Sequence, residues 1–313
     1  MSPQPTSARL RIGTRGSPLA LAQAREVAER LVETHAGLSA NDVAIEIIAT
    51  TGDRIPDRSL RDAGGKGLFT KEIEEALFAG QIDLAVHSMK DVPTALPDGL
   101  EIVCLLPRED VRDAFLSSRA DSLSALPQGA VVGSSSLRRA AQVRHARPDL
   151  TVVEFRGNVQ TRLKKLEDGV AEATFLACAG LKRLGLGALI TSPMATEVML
   201  PAVAQGAIGI EIRGDDERLR ALLAPLNHAK TSYCVAAERA LLAALDGSCR
   251  TPIAALAELD GDGLFLRAEI IRPDGSQSLR TERHGTPADA EAMGLDAGEE
   301  LRRRGGPGFF DES

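Results

Sequence analysis

No stretch of this 313-residue sequence is long and apolar enough to span a bilayer, and its first ten residues contain no apolar run that could serve as a secretory signal. The sequence therefore favours the cytoplasm and predicts no membrane contact. Cysteine is also sparse, and its residues form no CxxC pair, which argues against a disulfide framework and against a zinc or other metal site. We expect free thiols at Cys104, Cys178, Cys234 and Cys249.

An excess of basic charge is missing as well. The net charge of −7 argues against a general nucleic-acid binder, because neutralising phosphates requires a basic surface. The basic residues are nevertheless unusual, since seven of the 37 are lysines and the others are arginines, whose planar guanidinium can bind a carboxylate through two hydrogen bonds. Codon bias is the best explanation for the large number of arginines, so only the placement of particular arginines indicates function.

The alternation of strands and helices predicts an α/β fold with two or three domains, which suits a chain of 313 residues. Strands and helices alternate from Ser17 to Asp91 and again from Ala130 to Leu176, which predicts two similar α/β units in tandem. After Lys230 a helix, alternating strands and a charged helix predict a separate α+β module. Its glycine-rich tail, Gly305 to Ser313, is expected to fray.

Polar residues follow three of the predicted strands. Ligands of open α/β sheets bind beyond the carboxyl ends of the strands, so residues 90–91, 136–139 and 156–158 should converge on one cleft. Arg138 and Arg139 lie in the first turn of a predicted helix, where a cation opposes the helix dipole and needs an anion to compensate it. That anion is either a neighbouring carboxylate or a ligand. The serine N-cap and further arginines in equivalent positions favour a ligand.

Two other residues could carry chemistry. Asp91 could act as a general acid or as a fixed anion, although an aspartate before Val-Pro is equally typical of a turn cap. Cys249 lies in a glycine-containing turn, where an exposed thiol could take a covalent role, whereas the other cysteines are typical of core residues. No GxxxxGK motif followed by Ser or Thr occurs, so the glycine-rich segment 51–67 is interpreted as a mobile loop that closes over the cleft.

Six sequence blocks are spread over nearly the whole chain: Arg15 to Ala20, Gly64 to Phe69, Ala85 to Pro93, Ser135 to Arg139, Arg156 to Asn158 and Gly247 to Pro252. Together these blocks resemble the hydroxymethylbilane synthase (porphobilinogen deaminase) family. Their combination is specific, because the motifs are independent and occur in order at the expected spacing. One position departs from the family pattern, since Ser248 replaces the middle residue of Gly-Gly-Cys and would strain the loop if its backbone required a positive φ.

The resemblance implies an enzyme with three domains. Two α/β domains similar to type II periplasmic binding proteins would surround a cleft, and a smaller C-terminal α+β domain would present the cofactor. We expect domain 1 to span 1–106 with 207–226, domain 2 to span 107–206 and domain 3 to span 227–313. The implied activity is that of a transferase, which condenses four porphobilinogen molecules head to tail with loss of ammonia and releases linear hydroxymethylbilane by hydrolysis.

The resemblance also assigns residues. Asp91 matches the catalytic aspartate, and Cys249 matches the cysteine that holds one dipyrromethane cofactor through a thioether. A carboxylate suits the positive charge that develops on a pyrrole nitrogen, and cations suit the acetate and propionate groups of each pyrrole. The other cofactor ligands would be Lys90, Ser88, Ser136, Arg138, Arg139, Arg162, Arg183 and Asp53. The substrate ligands would be Arg15, Ser17, Arg156, Asn158, Lys66, Phe69 and Gln205.

Partners follow from the same resemblance. The chain is expected to be a monomer whose product passes to a uroporphyrinogen III synthase. The alternative is a non-catalytic receptor for carboxylate solutes, because tandem α/β units around an anion-binding cleft would suit that role too. The lack of an export signal argues against a receptor, and so would a chromophore held covalently on Cys249.

Overall fold

The computed structural model describes residues 10–54, 67–247 and 251–311, which form three β-sheets with helices packed against them. The strands are β1 (Leu10–Thr14), β2 (Val43–Ile47), β3 (Leu84–Ser88), β4 (Leu100–Leu105), β5 (Asp113–Ser117), β6 (Val131–Gly133), β7 (Thr151–Val153), β8 (Ala173–Ala177), β9 (Ser192–Pro193), β10 (Ile208–Arg213), β11 (Ile253–Asp260), β12 (Gly263–Ile271) and β13 (Ser278–Gly285). The helices are α1 (Pro18–Thr34), α2 (Thr51–Arg54), α3 (Lys71–Phe78), α4 (Leu137–Ala146), α5 (Val159–Glu167), α6 (Cys178–Arg183), α7 (Glu217–Leu223), α8 (Ala229–Ala244) and α9 (Ala290–Gly305). None of the helices in these ranges has the length and apolar composition needed to cross a membrane.

The first sheet has the strand order β2-β1-β3-β10-β4. Strands β1, β2 and β3 are parallel, whereas β10 runs antiparallel to both β3 and β4. Val27 and Leu31 of α1 belong to the same buried core as Ile12 and Leu84 of the strands, so the apolar face of this helix covers the sheet. Because β1 and β3 are parallel neighbours, their carboxyl ends meet at one edge of the sheet.

The second sheet repeats this arrangement with the order β7-β6-β8-β5-β9. Strands β6, β7 and β8 are parallel, and β5 runs antiparallel to β8 and β9. Both sheets therefore consist of three parallel strands followed by an antiparallel strand and an outer strand, which confirms the predicted pair of similar α/β units. The chain crosses from the first sheet to the second through residues 106–112 and returns through residues 194–207.

Polar side chains begin three of the helices. Ser17, Ser136 and Asn158 cap α1, α4 and α5, and each accepts a hydrogen bond from the backbone N–H three residues later. The sequence predicted the cap at Ser136. All three residues are also predicted ligands, so each combines its proposed binding role with a structural one.

The third sheet is an antiparallel meander of β11, β12 and β13, and α8 and α9 pack against it. Leu241, Leu266 and Leu301 lie in its core, which confirms the predicted α+β module. Phe309 is only 4% exposed and belongs to the same core. The expectation of a frayed tail is therefore wrong for residues 305–311, because a buried aromatic side chain anchors them.

Candidate active-site cleft

The turn that carries Asp91 begins where β3 ends, as a single 3-10 helix over Met89–Asp91. Met89 and Val92 are buried, whereas Lys90 and Asp91 between them are half-buried. In the described part of the chain, neither the Lys90 ammonium nor the Asp91 carboxylate has a hydrogen-bond or ion-pair partner. The Asp91 side chain therefore does not cap the following turn, and both charged groups are available to a ligand.

Lys90 lies among charges that come from both sheets. Burial lowers the pKa of Lys90 from 10.5 to about 8, while the charge of Asp91 raises it, the charges of Arg139 and Arg138 lower it, and the charge of Asp113 raises it. The two arginines begin α4, and Asp113 begins β5, so all three belong to the second α/β unit. The turn after β3 and the start of α4 therefore face each other across the cleft.

Arg138 and Arg139 share one buried carboxylate, that of Asp113. Nη1 of Arg138 lies 2.8 Å from Oδ2 of Asp113, and Nη2 of Arg139 lies 2.6 Å from Oδ1 of the same residue. Burial alone would raise the pKa of Asp113, but the two guanidiniums outweigh it and hold that pKa well below its usual range. A neighbouring carboxylate thus compensates one of the two positive charges, and the second remains to attract an anionic ligand.

Arg162, on α5, points a donor into the same charged region. Its Nε atom is buried and has no hydrogen-bond partner among the described residues. Burial lowers the pKa of Arg162 to about 10, Arg139 and Arg156 act in the same direction, and the negative charge of Asp91 raises it. A buried donor without an acceptor is unfavourable, so this guanidinium is well suited to a ligand carboxylate.

Gln205 and Arg183 lie at the return crossing between the two sheets. The amide nitrogen of Gln205 donates to the carbonyl oxygen of Val111 at 2.8 Å and to Oδ1 of Asp113 at 3.0 Å. Arg183 is bonded through Nε to a carboxylate oxygen of Glu26 at 3.2 Å, which connects α6 with α1. Arg183 therefore connects the two α/β units, whereas Gln205 connects the return crossing with the start of β5.

Four more predicted ligands have protein partners. The guanidinium of Arg15 lies 4.1 Å from the centre of the ring of Phe69, another predicted ligand, so the two side chains form a cation–π contact. Arg156 pairs with Glu154, and the hydroxyl of Ser88 lies 2.8 Å from a side-chain amide nitrogen on α1. The structure brings these residues to the rim formed by the carboxyl ends of β1, β3 and β7.

Some sequence-based predictions fall outside the described residues: Lys66, Cys249, the strain at Ser248, the side chain of Asp53 and residues 55–66 of the loop 51–67. The other three cysteines are buried and free, as expected. Burial raises the pKa of Cys104 to about 12 and the pKa values of Cys178 and Cys234 to about 11. These thiols stay protonated at neutral pH, which makes them poor nucleophiles.

The sequence did not reveal Asp113, Arg108 or Glu238. The carboxylate of Glu238, fully buried on α8, lies 2.6 Å from Nη1 of Arg108 and accepts a hydrogen bond from the backbone N–H of Ala204 at 2.6 Å. Arg108 and Ala204 lie in the two crossings between the sheets, so α8 connects both. The signal that could have found Glu238 is a charged residue on the apolar face of a helix.

Comparison with known families gives two matches that cover most of the chain. The family model described as "Porphobilinogen deaminase, dipyromethane cofactor binding domain" matches residues 10–221, and the one described as "Porphobilinogen deaminase, C-terminal domain" matches residues 232–303. A protein of Paracoccus denitrificans named porphobilinogen deaminase is 62% identical, over 97% of this chain and 97% of its own length. The chloroplastic porphobilinogen deaminase of Pisum sativum is 56% identical, over 98% of this chain and 85% of its own length.

Solved structures of lower similarity also match. A periplasmic substrate-binding protein of an ABC transporter from Coxiella burnetii has a TM-score of 0.43 and 16% identity, over 69% of this chain and 91% of its own. A putative methionine-binding lipoprotein from Bacillus subtilis has a TM-score of 0.42 and 13% identity, over 71% of this chain and 91% of its own.

Proposed function

Since the chain belongs to the porphobilinogen deaminase family, we propose that Asp91 is its catalytic carboxylate and that Cys249 is the point of cofactor attachment. The activity of the chain is the stepwise head-to-tail condensation of four porphobilinogen molecules with loss of ammonia, followed by hydrolytic release of the linear tetrapyrrole hydroxymethylbilane. The enzyme is a transferase of tetrapyrrole biosynthesis, and its cofactor is dipyrromethane. The observation that supports the proposed roles best is the unpartnered Asp91 carboxylate among the cleft cations.

The charges of the cleft fit a cofactor and a substrate that carry acetate and propionate groups. Lys90 has no ion-pair partner in the described residues, and the buried Nε of Arg162 has no acceptor. Such donors suit carboxylates, which accept charge-assisted hydrogen bonds from them. The residues proposed to hold the cofactor are Lys90, Ser88, Ser136, Arg138, Arg139, Arg162, Arg183 and Asp53. Those proposed to hold the substrate are Arg15, Ser17, Arg156, Asn158, Lys66, Phe69 and Gln205.

Asp91 would act on the pyrrole that reacts. Loss of ammonia from porphobilinogen, and the attack that follows, place positive charge on a pyrrole nitrogen. A carboxylate held beside that nitrogen stabilises the charge and can accept or return its proton. Asp91 has no competing partner in the described residues, and its charge acts on both Lys90 and Arg162, so the carboxylate lies among the cations that would hold the pyrrole carboxylates.

Cys249 would hold the cofactor through a thioether. Support comes from the other three thiols, whose burial and raised pKa values make them unsuitable for attachment. Cys249 also lies only five positions after the end of α8 in the sequence. When bound, dipyrromethane supplies the free pyrrole carbon that accepts the first substrate unit.

Finer features of the enzyme are proposed on the same basis. We infer domain boundaries of 1–106 with 207–226 for domain 1, 107–206 for domain 2 and 227–313 for domain 3, each of which contains one sheet. We also propose that the protein works as a monomer in the cytoplasm and passes its product to a uroporphyrinogen III synthase. The receptor alternative has no comparable support, because the close relatives are named as deaminases.

The ratio of ammonia released to tetrapyrrole formed tests the function directly. Purified protein incubated with porphobilinogen should release four ammonia molecules for each tetrapyrrole formed, as measured by an ammonia assay beside absorbance of the oxidised product. Bound porphobilinogen without ammonia release would instead indicate a receptor and overturn the assignment.

The pH dependence of substrate capture should depend on Lys90. A lysine with a pKa of about 8 loses its charge as the pH rises through that value, whereas an ordinary lysine stays charged to about 10.5. Because the neutral amine no longer holds a carboxylate of the cofactor to which the substrate is added, kcat/KM for porphobilinogen should fall above about pH 8. In Lys90→Arg, whose guanidinium stays charged, the fall should be absent. Identical pH profiles of kcat/KM for the two proteins would contradict this prediction.

A further inference from the structure

The backbone that follows Asp91 is held from the third sheet's side of the molecule by one arginine. Arg239, on α8, donates from Nη1 to the carbonyl oxygen of Val92 at 3.1 Å. Its Nη2 donates to the carbonyl oxygen of Pro93 at 2.7 Å and to that of Thr94 at 3.3 Å. One guanidinium thus binds three consecutive carbonyl groups, and the first of them belongs to the residue directly after Asp91.

We propose that Arg239 is a positioning residue that fixes the Asp91 carboxylate in the cleft. The inference rests on the proposed catalytic role of Asp91. The hydrogen bonds of Arg239 in the described residues go only to backbone carbonyls, so its contribution would pass through the backbone of the turn. A catalytic group displaced by about 1 Å can lose about 100-fold in rate, so a clamp at this place has a direct effect on chemistry.

Packing supports the same link between the turn and α8. Met89 and Val92, which flank the two charged residues of the turn, are 2% and 5% exposed and belong to the core formed by α8 and the third sheet. Gly209 of β10 makes room for Met89, since a Cβ atom there would lie 2.0 Å from the methionine sulfur. The apolar side chains and the Arg239 clamp therefore hold Lys90 and Asp91 from both sides.

The chemistry of the clamp explains why an arginine is present. Arg239 has no ion pair in the described residues, and burial lowers its pKa, while the charge of Glu211 raises it. A buried cation without a carboxylate is unfavourable unless its donors are satisfied, and here the carbonyl groups satisfy them. Pro93 has no N–H, so its carbonyl oxygen is the one backbone group of that residue that can form a hydrogen bond. A lysine at 239 could not span three carbonyls with fixed geometry.

The position of Arg239 in the sequence adds a functional consequence. It lies on α8, the helix whose Glu238 binds both crossings between the sheets. The chain then continues from the end of α8 towards Cys249. A single helix would therefore set the place of the catalytic carboxylate and begin the segment that carries the cofactor. Relative placement of these two groups is what successive condensations require.

The experiment compares Arg239→Ala with Arg239→Lys and with a matched control, Arg144→Ala. Arg144 also donates to a proline carbonyl, that of Pro273 at 2.9 Å, but it lies on α4 and not against the turn. The cofactor content of each variant is measured by intact mass, and kcat is expressed per cofactor-loaded molecule. A cavity of about 470 Å³ lined by Arg239 lies between β4, α8 and α9, so added guanidinium ions can reach the vacated site.

We expect kcat to fall about 10- to 100-fold in Arg239→Ala and by a smaller factor in Arg239→Lys, with KM changed less than about threefold. Added guanidinium should raise kcat of Arg239→Ala and leave Arg144→Ala unchanged. Hydrogen exchange at the amides of Val92, Thr94 and Ala95 should accelerate in Arg239→Ala. These three results together would support a positioning role.

Unchanged kcat per loaded molecule in Arg239→Ala would overturn the inference. So would a loss of kcat that guanidinium does not restore and that is matched by an equal loss in Arg144→Ala, because general destabilisation would then explain both. The Asp91→Asn variant separates this inference from the function on which it rests. If Asp91→Asn kept full kcat, the proposed catalytic role of Asp91 would be wrong. If Asp91→Asn lowered kcat strongly and Arg239→Ala did not, only the proposed positioning role of Arg239 would be wrong.

Discussion

Replacing Asp91 with asparagine should lower kcat by about 100- to 10,000-fold while KM for porphobilinogen stays nearly unchanged. The amide has the same size as the carboxylate but carries no charge, so it can neither stabilise a positive pyrrole nitrogen nor accept its proton. Substrate capture depends on the cations of the cleft, which the substitution leaves in place. Steady-state kinetics, together with a single-turnover measurement of the first condensation, would test both parts.

Two variants serve as controls for Asp91→Asn. Asp91→Glu keeps the charge but moves it by one methylene group, so it should retain more activity than Asp91→Asn. Asp98→Asn changes an exposed carboxylate on the same connection and should keep normal kcat. Equal activity of Asp91→Asn and the parent protein would show that the Asp91 carboxylate takes no part in the reaction. A loss confined to KM would show that it binds substrate and does not take part in catalysis.

Replacing Cys249 with alanine should abolish both the covalent cofactor and the activity. The intact mass of the parent protein should exceed the sequence mass by two deaminated pyrrole units, because a thioether survives denaturation. The variant should have the plain sequence mass, even after incubation with porphobilinogen, since no sulfur is available to form the bond. Electrospray mass spectrometry of the two denatured proteins measures the difference directly.

The matched control for Cys249→Ala is Cys234→Ala, which removes a buried thiol with a raised pKa. This variant should keep the additional mass and should lose stability alone, because it deletes a small buried group. An additional mass that persists in Cys249→Ala, or a parent protein that stays unmodified after exposure to porphobilinogen, would contradict the proposed attachment.

Local sequence signals were sufficient for much of the fold. Ser136 caps α4 as predicted, and Arg138 and Arg139 lie in the first turn of that helix. These features depend on neighbouring residues, which a sequence displays directly. Strands β1, β4 and β5 were not predicted, because each is a short apolar run whose identity depends on pairing with distant strands.

For the charged residues of the cleft too, the sequence predicted what depends on neighbouring residues and missed what depends on distant ones. The sequence placed Lys90, Arg138 and Arg139 after strands of α/β units, and the structure brings them together. It could not show that Asp113, which begins β5, would lie between the two arginines, because a buried acid in a strand has no local signature. The clamp by Arg239 was equally invisible, since its contacts to Val92, Pro93 and Thr94 span more than 140 positions.

The place of β10 in the first sheet affects how the protein is made. Strands β3 and β4 both pair with β10, which leaves the ribosome roughly a hundred residues after β4. At a synthesis rate of about 5–20 residues per second, the nascent chain exposes these unpaired strand edges for roughly 5–20 seconds. The second sheet is continuous in sequence and can close during that interval. The second α/β unit is thus the first that can fold. The first unit stays incomplete until β10 is synthesised, and a chaperone would be needed during that time.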